Sequence, residues 1–394
     1  MLVEVHMLQN HAPSNLNRDD SGSPKEAVFG GFKRARISSQ CLKRTVRRSD
    51  VFSEKMAGIL GTRTRMLPEL VKNRLLEKGL DEEMAKMAAL KTSGFGNKEG
   101  TEQKENKSGY YRTAQTMFLN DADIDAVADV LYEAAMEAKT AKNFEKVKAK
   151  DLQEKAADKG FRPMAVDIAL FGRMVTSEAF VDVEAACQFA HAISTHKVDH
   201  EFDYYTAMDD LERSSDDDAG AGADMIGDVE FNSACYYKYF NVHIEGLVDN
   251  LTGRAFRREV LPGAEKEARA TAARAVKALI EAACSVTPSG KQNTFAAHQW
   301  PSLVWIEIRD ANLPVSYANA FSVPVNPKLG DGIEKESAKR LKKECEDLAG
   351  MYSLKAGKRL LLSKDREITI LDVASSKNLE QLLKEVEEAV MACD

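Results

Sequence analysis

The stretch "FGGFKRARISSQCLKRTVRRS", residues 29–49, decides where the first helix of the fold begins and which face it buries. Ser38 and Ser39 precede "QCLKRTVRR", and a serine at a helix start accepts hydrogen bonds from free backbone amides. Leu42 and Val46 are four residues apart, which predicts a core-facing stripe. The other positions of this segment are mostly basic. The sequence therefore predicts a short amphipathic helix with a cationic outer face.

The same stretch concentrates positive charge in an acidic protein. Seven Lys and Arg residues lie between Lys33 and Arg48 with no acid among them, whereas the 394-residue chain has a net charge of −7. Residues 25–48 hold eight basic residues and one Glu, a local charge of +7, so the remainder carries −14. A solvated helix face normally mixes both signs. The segregation predicts local binding of nucleic-acid phosphates, and the two glycines at positions 30 and 31 allow the backbone to approach closely.

Bulk composition limits the class of protein. With 44% hydrophobic and 30% charged residues, the chain can bury a sizeable core, and its length predicts two or three structural units. We find no secretory signal and no apolar run near the roughly 18 residues of a membrane span, so we expect a soluble cytoplasmic protein. The six cysteines are far apart, which predicts reduced thiols rather than disulfides or a zinc ribbon.

Hydrophobic patterns predict an α+β protein with an insertion. "MLVEVHMLQ" at the N-terminus alternates apolar and polar residues and predicts a strand. Residues 53–160 are mostly helical in pattern, and the tract "SGFGNKEGTEQKENKSG" within them predicts a mobile loop. After the insertion, "MAVDIALFGRM" predicts a strand and "VEAACQFAHAISTHKV" a helix, with Ala186, Phe189, Ala190 and Ile193 on one side.

The second half of the chain extends the same architecture. Residues 199–231, approximately, form an acidic, glycine-containing excursion that is too long for an ordinary connection. "SACYYKYFNVHIE" then predicts a strand, "AEKEARATAARAVKALIEAAC" a helix and "SLVWIEIRD" a strand. This order predicts a ferredoxin-like, or RRM-like, sheet formed by residues 1–52 and 161–394, with residues 53–160 as an inserted helical domain.

Motifs for catalysis and metal binding are weak. "SVTPSGKQN" lacks key positions of a phosphate-binding Walker loop, and no Gly-x-Ser-x-Gly elbow is present. His196 and His200 are four residues apart with Asp199 and Asp203 nearby, which is compatible either with a shared metal ion or with local bonds at a helix end. Because no third ligand stands at a recognisable spacing, we expect neither a metal nor another cofactor.

Several blocks of sequence resemble one known family. "SNLNRDDSGSPKEAVFGGFKRARISSQCLKRTVRRS", "VDIALFGRMVTS", "AHAISTHKVDHEFDYYTAMDDL", "GKQNTFAA" and "SYANAF" are similar, in this order, to CasC, the repeated backbone subunit of the type I-E CRISPR complex Cascade. The resemblance covers about the first 320 residues apart from the insertion. The region after about Val323 looks lineage-specific.

The resemblance implies a hand-shaped subunit: an RRM-like palm, an inserted helical finger domain and a protruding thumb hairpin at about residues 199–231. Copies would stack head-to-tail along one CRISPR RNA and present it for pairing with target DNA. The other partners would be the large, small, Cas5-like and repeat-endonuclease subunits of the complex, and no membrane is implied. Cleavage would belong to other proteins.

The resemblance also implies nucleic-acid contacts at particular positions. Met174 would wedge against the RNA from the palm, and "DYYT" would form the thumb tip, where the family has a tryptophan–phenylalanine pair. The predicted RNA contacts are Arg18, Arg34, Arg36, Ser38, Gln40, Lys43, Arg44, Arg47, Met174, Tyr204, Tyr205, Thr206, Lys291 and Gln292. Predicted DNA contacts are Lys139, Lys142, Lys146 and Lys150, the last three at four-residue spacing on one helix face, although a solvated face explains that spacing equally well.

Two other functions fit the sequence. RRM-like CRISPR proteins include RNA-processing endoribonucleases, in which a histidine such as His11 or His196 would act as the general base. We find no second catalytic group near either histidine in sequence. The chain is also compatible with a related assembly in which a partner subunit carries a nuclease.

Overall fold

The computed structural model describes residues 1–159, 164–207, 225–256, 259–326, 328 and 330–392. Its strands are β1 (Leu2–Ser14), β2 (Glu26–Phe29), β3 (Phe32–Ile37), β4 (Thr62–Thr64), β5 (Met117–Leu119), β6 (Cys187–Phe189), β7 (Ala192–Ser194), β8 (Glu201–Ala207), β9 (Met225–His243), β10 (Leu303–Arg309) and β11 (Lys358–Ser363). Its α-helices are α1 (Ser39–Arg47), α2 (Asp50–Lys55), α3 (Leu67–Glu77), α4 (Glu82–Ser93), α5 (Asp121–Ala138), α6 (Ala141–Phe144), α7 (Ala149–Asp158), α8 (Val166–Phe171), α9 (Ile244–Thr252), α10 (Ala264–Ser285), α11 (Gln292–Phe295), α12 (Ile333–Tyr352) and α13 (Leu379–Met391). None of the described helices is long and apolar enough to cross a membrane.

The chain divides into two compact units. Unit 1 comprises residues 1–52, 189–241 and 277–394, and unit 2 comprises residues 53–188 and 242–276. The first boundary coincides with the sequence-based one. The later boundaries differ, because the described residues of the ranges 164–188 and 242–276 group with the helical unit rather than with the sheet.

Unit 1 is organised around an antiparallel sheet in which neighbouring strands are often not consecutive in the sequence. The strands run in the order β11-β10-β1-β9-β7-β3-β2, and β6 and β8 also pair with β9. β1 pairs with β10 from Leu2 opposite Arg309 to Leu8 opposite Leu303. Neighbouring residues of a strand face opposite sides of its sheet. Accordingly Tyr236 and Tyr237 of β9 belong to different core clusters, one containing Leu42 of α1 and the other Leu341 of α12.

Unit 2 has a separate helical core. Apolar side chains of α3, α4, α5 and α7 pack together, with Val71, Ala88, Leu131 and Leu152 completely buried. The short β4–β5 ladder joins Thr62 to Leu119. The helical character predicted for residues 53–160 is therefore confirmed as far as residue 159, where the described range ends. Burial of one face of each helix supplies most of its stability, because short isolated helices are marginal in water.

Two segments have a different secondary structure from the predicted one. "VDIALF" forms helix α8, which ends at Gly172 with φ 78°, and a short apolar run cannot be distinguished from a strand by periodicity alone. "VEAACQFAHAISTHKV", predicted as a helix, contains β6 and β7 instead. There β7 pairs with both β3 and β9, and the Phe189 ring stacks on Phe240 at 4.6 Å between centroids. Tertiary pairing prevailed over a helical pattern.

The glycine-rich tract at residues 93–109, predicted to be a mobile loop, contains local turns. It begins with a buried turn at Gly94–Gly96 and continues through hydrogen-bonded turns at Asn97 and Asn106. Most of the acidic excursion, residues 208–224, lies outside the described residues. Its flanks form the antiparallel pair β8–β9, with Glu201 opposite Phe231 and Ala207 opposite Met225.

Candidate nucleic-acid interface

Helix α1 presents cations on a rigid support. Ser38 is the N-cap, and its Oγ accepts a hydrogen bond from the Cys41 amide at 3.3 Å. Leu42 and Val46 are buried, as predicted from their spacing. On the outer face Arg44 is exposed and Lys43 half-buried. Within the part of the chain that the structure describes, neither side chain forms an ion pair, so both charges are available to an anionic ligand.

An open cavity of about 570 Å³ lies beside this face of α1. Arg18 and its loop line one side, Arg44 a second, and Ser289 with Gly290 a third. A Cβ on Gly290 would stand 2.5 Å from the carbonyl oxygens of Asn15 and Leu16, so a side chain there would push the loops apart. Three segments that are distant in sequence thus form one concave surface, which brings Arg18 and Arg44 together.

Two acids also line the cavity, but one of them serves the loop itself. The Asp19 carboxylate accepts hydrogen bonds from Ser21 N at 2.9 Å and Ser23 N at 3.1 Å. A further bond from the Ser21 hydroxyl is the main reason that the pKa of Asp19 is below its usual value. Asp19 therefore fixes the turn that presents Arg18. Asp20 is exposed and remains an acid at the rim.

Lys25 belongs to the same basic surface, although the sequence analysis did not select it. It is half-buried. Burial raises the pKa of the Cys41 thiol, and the charge of Lys25 partly opposes that rise. Burial lowers the pKa of His191, and the charge of Lys25 adds to that fall. These influences place Lys25 close to α1 and to β7. In the sequence, the only sign that Lys25 contributes to binding was its position beside the basic segment. Its local context "SPKE" gave no information about its neighbours in space.

Arg34 and Arg36 have structural roles that the basic segment alone did not reveal. Arg34 is completely buried, and its guanidinium donates to the carbonyl oxygens of Ser194 at 2.9 Å and Phe321 at 2.7 Å. Arg34 was predicted to contact RNA, and we correct this assignment. A buried guanidinium that donates to backbone carbonyls cannot reach an external phosphate. Arg36 is half-buried and donates to the Glu26 carbonyl at 2.9 Å.

The remaining predicted contacts of unit 1 differ in accessibility. Gln40 is exposed and Arg47 half-buried, whereas Ser38 is only 6% exposed and is engaged as the helix cap. Lys291 adopts the left-handed conformation, with φ 49°, at the start of α11. The Gln292 amide bonds within its own loop, to the Pro288 carbonyl at 2.9 Å and the Ala297 amide at 2.7 Å. Gln292 therefore shapes this loop.

The β8–β9 ribbon exposes aromatic side chains on both of its faces. Tyr204 and Tyr205 are neighbours in sequence and so point to opposite sides. Tyr205 lies opposite Gly227. A Cβ on Gly227 would stand 2.6 Å from the Tyr205 ring, so the absence of a side chain at Gly227 makes room for that ring. Tyr204 shares its face with Phe202, and these side chains are 65% and 66% exposed. The sequence analysis missed Phe202 because it paired residues by adjacency.

Met174 is presented to solvent by unit 2, not by the sheet unit as predicted. It is 91% exposed, although methionine is normally buried. The preceding Arg173 is buried and bonds to Asp123 at 2.7 Å. The Val175 amide donates to the Asp182 carboxylate, also at 2.7 Å. These bonds fix the backbone on both sides of an exposed apolar side chain.

The predicted DNA-contacting lysines do not lie on one helix. Lys139 is the left-handed cap of α5, Lys142 lies in α6, Lys146 in the connection, and Lys150 in α7. All four are exposed. Their four-residue spacing therefore does not define a helix face. Lys150 is 3.9 Å from Glu154, an exposed ion pair of the kind that contributes little.

The histidines considered for metal binding or catalysis are engaged within the fold. His200 Nε2 is 2.8 Å from Glu26 Oε1, and its Nδ1 contacts Glu230. The pKa of His196 is lowered by burial, and that of His11 falls to about 4 through burial and the nearby charge of Lys238. Among the described residues, no group of three His, Cys, Asp or Glu side chains could hold a metal ion.

Comparisons with known proteins extend the resemblance to the whole chain. A chain of the solved structure "CRISPR RNA-guided surveillance complex, pre-nicking" is 29% identical and superimposes with a TM-score of 0.78, covering 99% of this chain and 100% of that one. A chain of another "CRISPR RNA-guided surveillance complex" is 26% identical, with a TM-score of 0.69 and the same coverage. A comparison with curated protein sequences finds no match.

The family model corrects one expectation from the sequence. The model described as "CT1975-like protein" matches residues 3–388. The region after Val323, which was expected to be lineage-specific, therefore lies within the match to the family, as does the helical insertion. Because the match spans nearly the entire chain, this protein is a member of the CT1975-like protein family.

Proposed function

We propose that this protein is a non-catalytic backbone subunit of a type I-E Cascade, a CRISPR RNA-guided surveillance complex that acts in antiviral defence in the cytoplasm. Several copies would stack head-to-tail along one guide RNA, together with the other subunits of the complex. The observation that carries the proposal is the basic surface of unit 1. There Arg18 and Arg44 line a concave site beside Asp19 and Asp20, with Lys43 next to them on α1, in a chain whose net charge is −7. None of these three cations has an ion pair among the described residues.

The chemistry of this surface suits the backbone of a single strand. Arg18, Lys43 and Arg44 offer charge to phosphates, and the Gly290 backbone leaves room for close approach. Phosphate contacts position a strand without reading its sequence. This mode leaves the bases of a guide free for pairing with target DNA, as a backbone subunit requires.

We propose that unit 1 is the RRM-like palm of this subunit. Its support is the strand order β10-β1-β9-β7, in which β10 is antiparallel to β1 and β7 antiparallel to β9. Helix α1 and the end of α10, from residue 277 onward, belong to the same unit: Leu42 of α1 packs in the cluster with Tyr236, and the Ala283 carbonyl of α10 accepts a hydrogen bond from Lys238 Nζ. An RRM normally binds RNA on its open sheet face. Here the cluster that contains Phe321 and Leu341 covers one face, so the loops and α1 supply the binding surface.

The β8–β9 ribbon would act as the thumb and break the base stack of the RNA. Exposed rings suit this role, because stacking on an aromatic side chain contributes about 1–3 kcal/mol per base and is blind to sequence. Tyr204 shares its exposed face with Phe202, whereas Tyr205 packs over Gly227. Met174 offers a second, flexible apolar side chain. Acids of the ribbon such as Asp203 and Asp228 would face the basic palm of the next copy.

This thumb proposal predicts periodic tolerance of mismatches in the target. Bases that are displaced from the stack cannot pair, so a mismatch scan should show insensitive positions at regular intervals. Tyr204→Ala should reduce this periodicity more than Tyr205→Phe, which keeps the ring over Gly227. Uniform sensitivity along the target, together with normal assembly of Tyr204→Ala, would contradict the wedge.

Target DNA would approach the lysines of unit 2. Lys139, Lys142 and Lys146 are exposed, and none has an ion pair among the described residues. Charge reversal at these positions should weaken capture of target DNA while the affinity for guide RNA is retained. If the affinity for target DNA at low salt did not change, these three lysines would not belong to the DNA interface.

The main rival is an RNA-processing endoribonuclease. A general base must reach the 2′-hydroxyl of its substrate. His11 is only 1% exposed, with a pKa lowered to about 4, which makes it a poor candidate. His196→Ala should therefore leave guide RNA of normal length in the purified complex. Accumulation of uncut precursor RNA in that variant would favour the nuclease.

The proposal is tested by purification of the protein with its partners and sequencing of the RNA that accompanies it. We expect short RNAs that contain CRISPR repeat segments, in amounts that allow several copies of the protein per RNA. Protein that is free of such RNA would contradict the proposed function.

A further inference from the structure

The glycine-rich loop of unit 2, residues 94–112, has a defined shape. The Asn97 side chain accepts the Thr101 amide at 2.9 Å. Farther along, the Asn106 side chain accepts the amides of Ser108 at 2.9 Å and Tyr110 at 3.0 Å. Gly109 completes this second turn with φ 77°. Asparagine side chains that bond to following amides stabilise tight turns, so the loop holds its tip in place.

A buried lysine attaches this loop to the segment that carries the predicted DNA-contacting lysines. Lys91 is 5% exposed, and its Nζ donates to Glu102 Oε1 and to the Glu145 carbonyl, both at 2.7 Å. Gly100 packs directly on Lys150: a Cβ at Gly100 would stand 2.7 Å from the Lys150 backbone nitrogen. The loop and residues 139–150 therefore form adjoining parts of unit 2.

Two of the three acids in the loop are paired, and one of its four cations, Lys98, is paired with Glu178 at 3.4 Å. Glu102 is paired with Lys91, and Glu105 lies 3.4 Å from Lys86. In contrast, no ion pair within the described ranges involves the three exposed cations Lys104, Lys107 and Arg112. Glu99 is an exposed acid near the loop start. Tyr110 is 46% exposed at the tip.

We propose that Lys104, Lys107, Arg112 and Tyr110 form a second polynucleotide-binding surface, which contacts phosphodiester groups outside the guide groove. Three exposed loop cations that have no ion pair with any described residue match a polyanion, and a tyrosine hydroxyl can donate to phosphate or sugar oxygens. The inference rests on the proposed function, in which target DNA reaches unit 2. It extends the DNA surface from residues 139–150 to a loop whose sequence indicated only mobility. The ligand is either duplex DNA or a displaced single strand, since both offer the same phosphates.

The test uses the full-length protein and fluorescent oligonucleotides of three kinds: duplex DNA, single-stranded DNA and single-stranded RNA. The variant Lys104→Ala, Lys107→Ala, Arg112→Ala removes three exposed charges without touching the core. For duplex DNA, the slope of log affinity against log salt should become shallower by about 2.7, or 0.9 for each lost phosphate contact. For single-stranded DNA the change should be about 2.1, or 0.7 for each contact. A loss with either DNA supports the surface and identifies the form it binds.

A matched control and a separate RNA measurement make the result interpretable. Lys339→Ala, Lys342→Ala, Lys343→Ala removes the same charge from ion-paired positions of α12 and should leave every slope unchanged. The proposed surface would be overturned if the loop variant showed wild-type slopes of log affinity against log salt for both DNAs. It would also be overturned if the slope for RNA became shallower by the same amount as the slope for DNA. Failure of the proposed function looks different: RNA affinity would then be insensitive to Lys43→Ala with Arg44→Ala.

Lys91 is the positioning residue of this surface. Lys91→Met removes both anchoring bonds and should weaken DNA binding with RNA binding unchanged, and Lys91→Arg should restore part of the DNA affinity. A general loss of structure would instead reduce RNA binding as well. Wild-type DNA affinity in Lys91→Met would show that the anchor is not required and would contradict this part of the proposal.

Discussion

Helices α1 and α12 are both rich in cations, but they present them differently. Helix α1 has three basic residues and no acid, whereas α12 has five basic and five acidic residues. On α12, Lys339 pairs with Glu336 at 2.8 Å, and Lys342 lies 3.7 Å from Glu346. On α1, Lys43 and Arg44 have no such partners among the described residues. The number of lysines does not define a polyanion site, because charges that are paired within the fold offer little to a ligand.

A further contrast exists within the basic segment itself. Arg34 and Arg44 are ten positions apart, but Arg34 is buried against backbone carbonyls and Arg44 faces solvent. The guanidinium of Arg34 therefore ties β3 to β7 and to the turn that ends at Phe321, and that of Arg44 is available for binding. Substitutions that distinguish stability from affinity can test this division.

The largest expected effect comes from Arg34→Met. Loss of the donor leaves the carbonyls of Ser194 and Phe321 without their partners in the core. An unsatisfied buried polar group costs about 1–3 kcal/mol, so we expect the free energy of unfolding to fall by roughly 3 kcal/mol. Urea unfolding followed by circular dichroism measures this loss, with Arg44→Met as the matched control. An unchanged urea midpoint combined with lost RNA affinity would reverse the assignment of Arg34.

The next effect concerns Lys238, which is buried and has no acid partner among the described residues. Its Nζ donates to Gln9 Oε1 at 2.5 Å and to the Ala283 carbonyl at 2.9 Å, and burial lowers its pKa from 10.5 to about 8. Between pH 8 and 9.5 the unfolded chain keeps this proton and the folded chain has released it. Stability of the wild type should therefore rise with pH relative to Lys238→Met, by about 1.5 kcal/mol over this range.

Paired measurements of urea unfolding at pH 8.0 and 9.5 check this prediction, since other titrating groups affect both proteins alike. Below pH 8 the two stability curves should run nearly parallel, because Lys238 is then protonated in both states. Parallel curves across the whole range would mean that Lys238 does not lose its proton in the folded protein.

A third, smaller effect is expected for the open face of α1. Lys43→Ala with Arg44→Ala should weaken RNA binding roughly tenfold at 0.1 M salt and make the log-affinity slope shallower by about 1.4, or 0.7 for each phosphate. The loss should be equal for guides of different sequence. Filter binding or fluorescence anisotropy across a salt series gives both quantities. A loss that depends strongly on guide sequence would point to base recognition.

The smallest effect is expected on α12. Lys342→Ala with Lys343→Ala removes two charges that are paired with Glu346 and Asp347 on the same helix. Exposed ion pairs of this kind contribute little to stability. We expect no measurable change in the urea midpoint or in the RNA salt slope. If RNA affinity fell as much as in the α1 variant, pairing would not be the property that separates the two helices.

Prediction from sequence succeeded where local chemistry was decisive. The serine cap and the Leu42–Val46 stripe predicted α1 correctly, and the alternation of apolar and polar residues predicted β1 correctly. Both signals are contained within a few consecutive residues. It failed for α8 and for β6–β7. Those segments are short and apolar, and their state depends on neighbours such as β3 and β9 that are far away in sequence.

The candidate site shows the same division. The concentration of charge and its amphipathic placement were visible in residues 29–49. Which arginine is buried was not visible, because the carbonyls that accept from Arg34 come from positions 194 and 321. The exposed Phe202–Tyr204 face was missed because strand pairing, not adjacency, decides which rings share a side.

By itself the sequence determined the class of fold, the cationic character of α1 and the family resemblance, since composition, capping and periodicity act over short distances. Only the tertiary structure decided which cations remain unpaired. That property depends on acids and carbonyls brought from distant positions, as with Lys91, which holds Glu102 and the backbone at Glu145 together. A charge becomes a binding group only when folding leaves it without an internal partner, and no local pattern reports this.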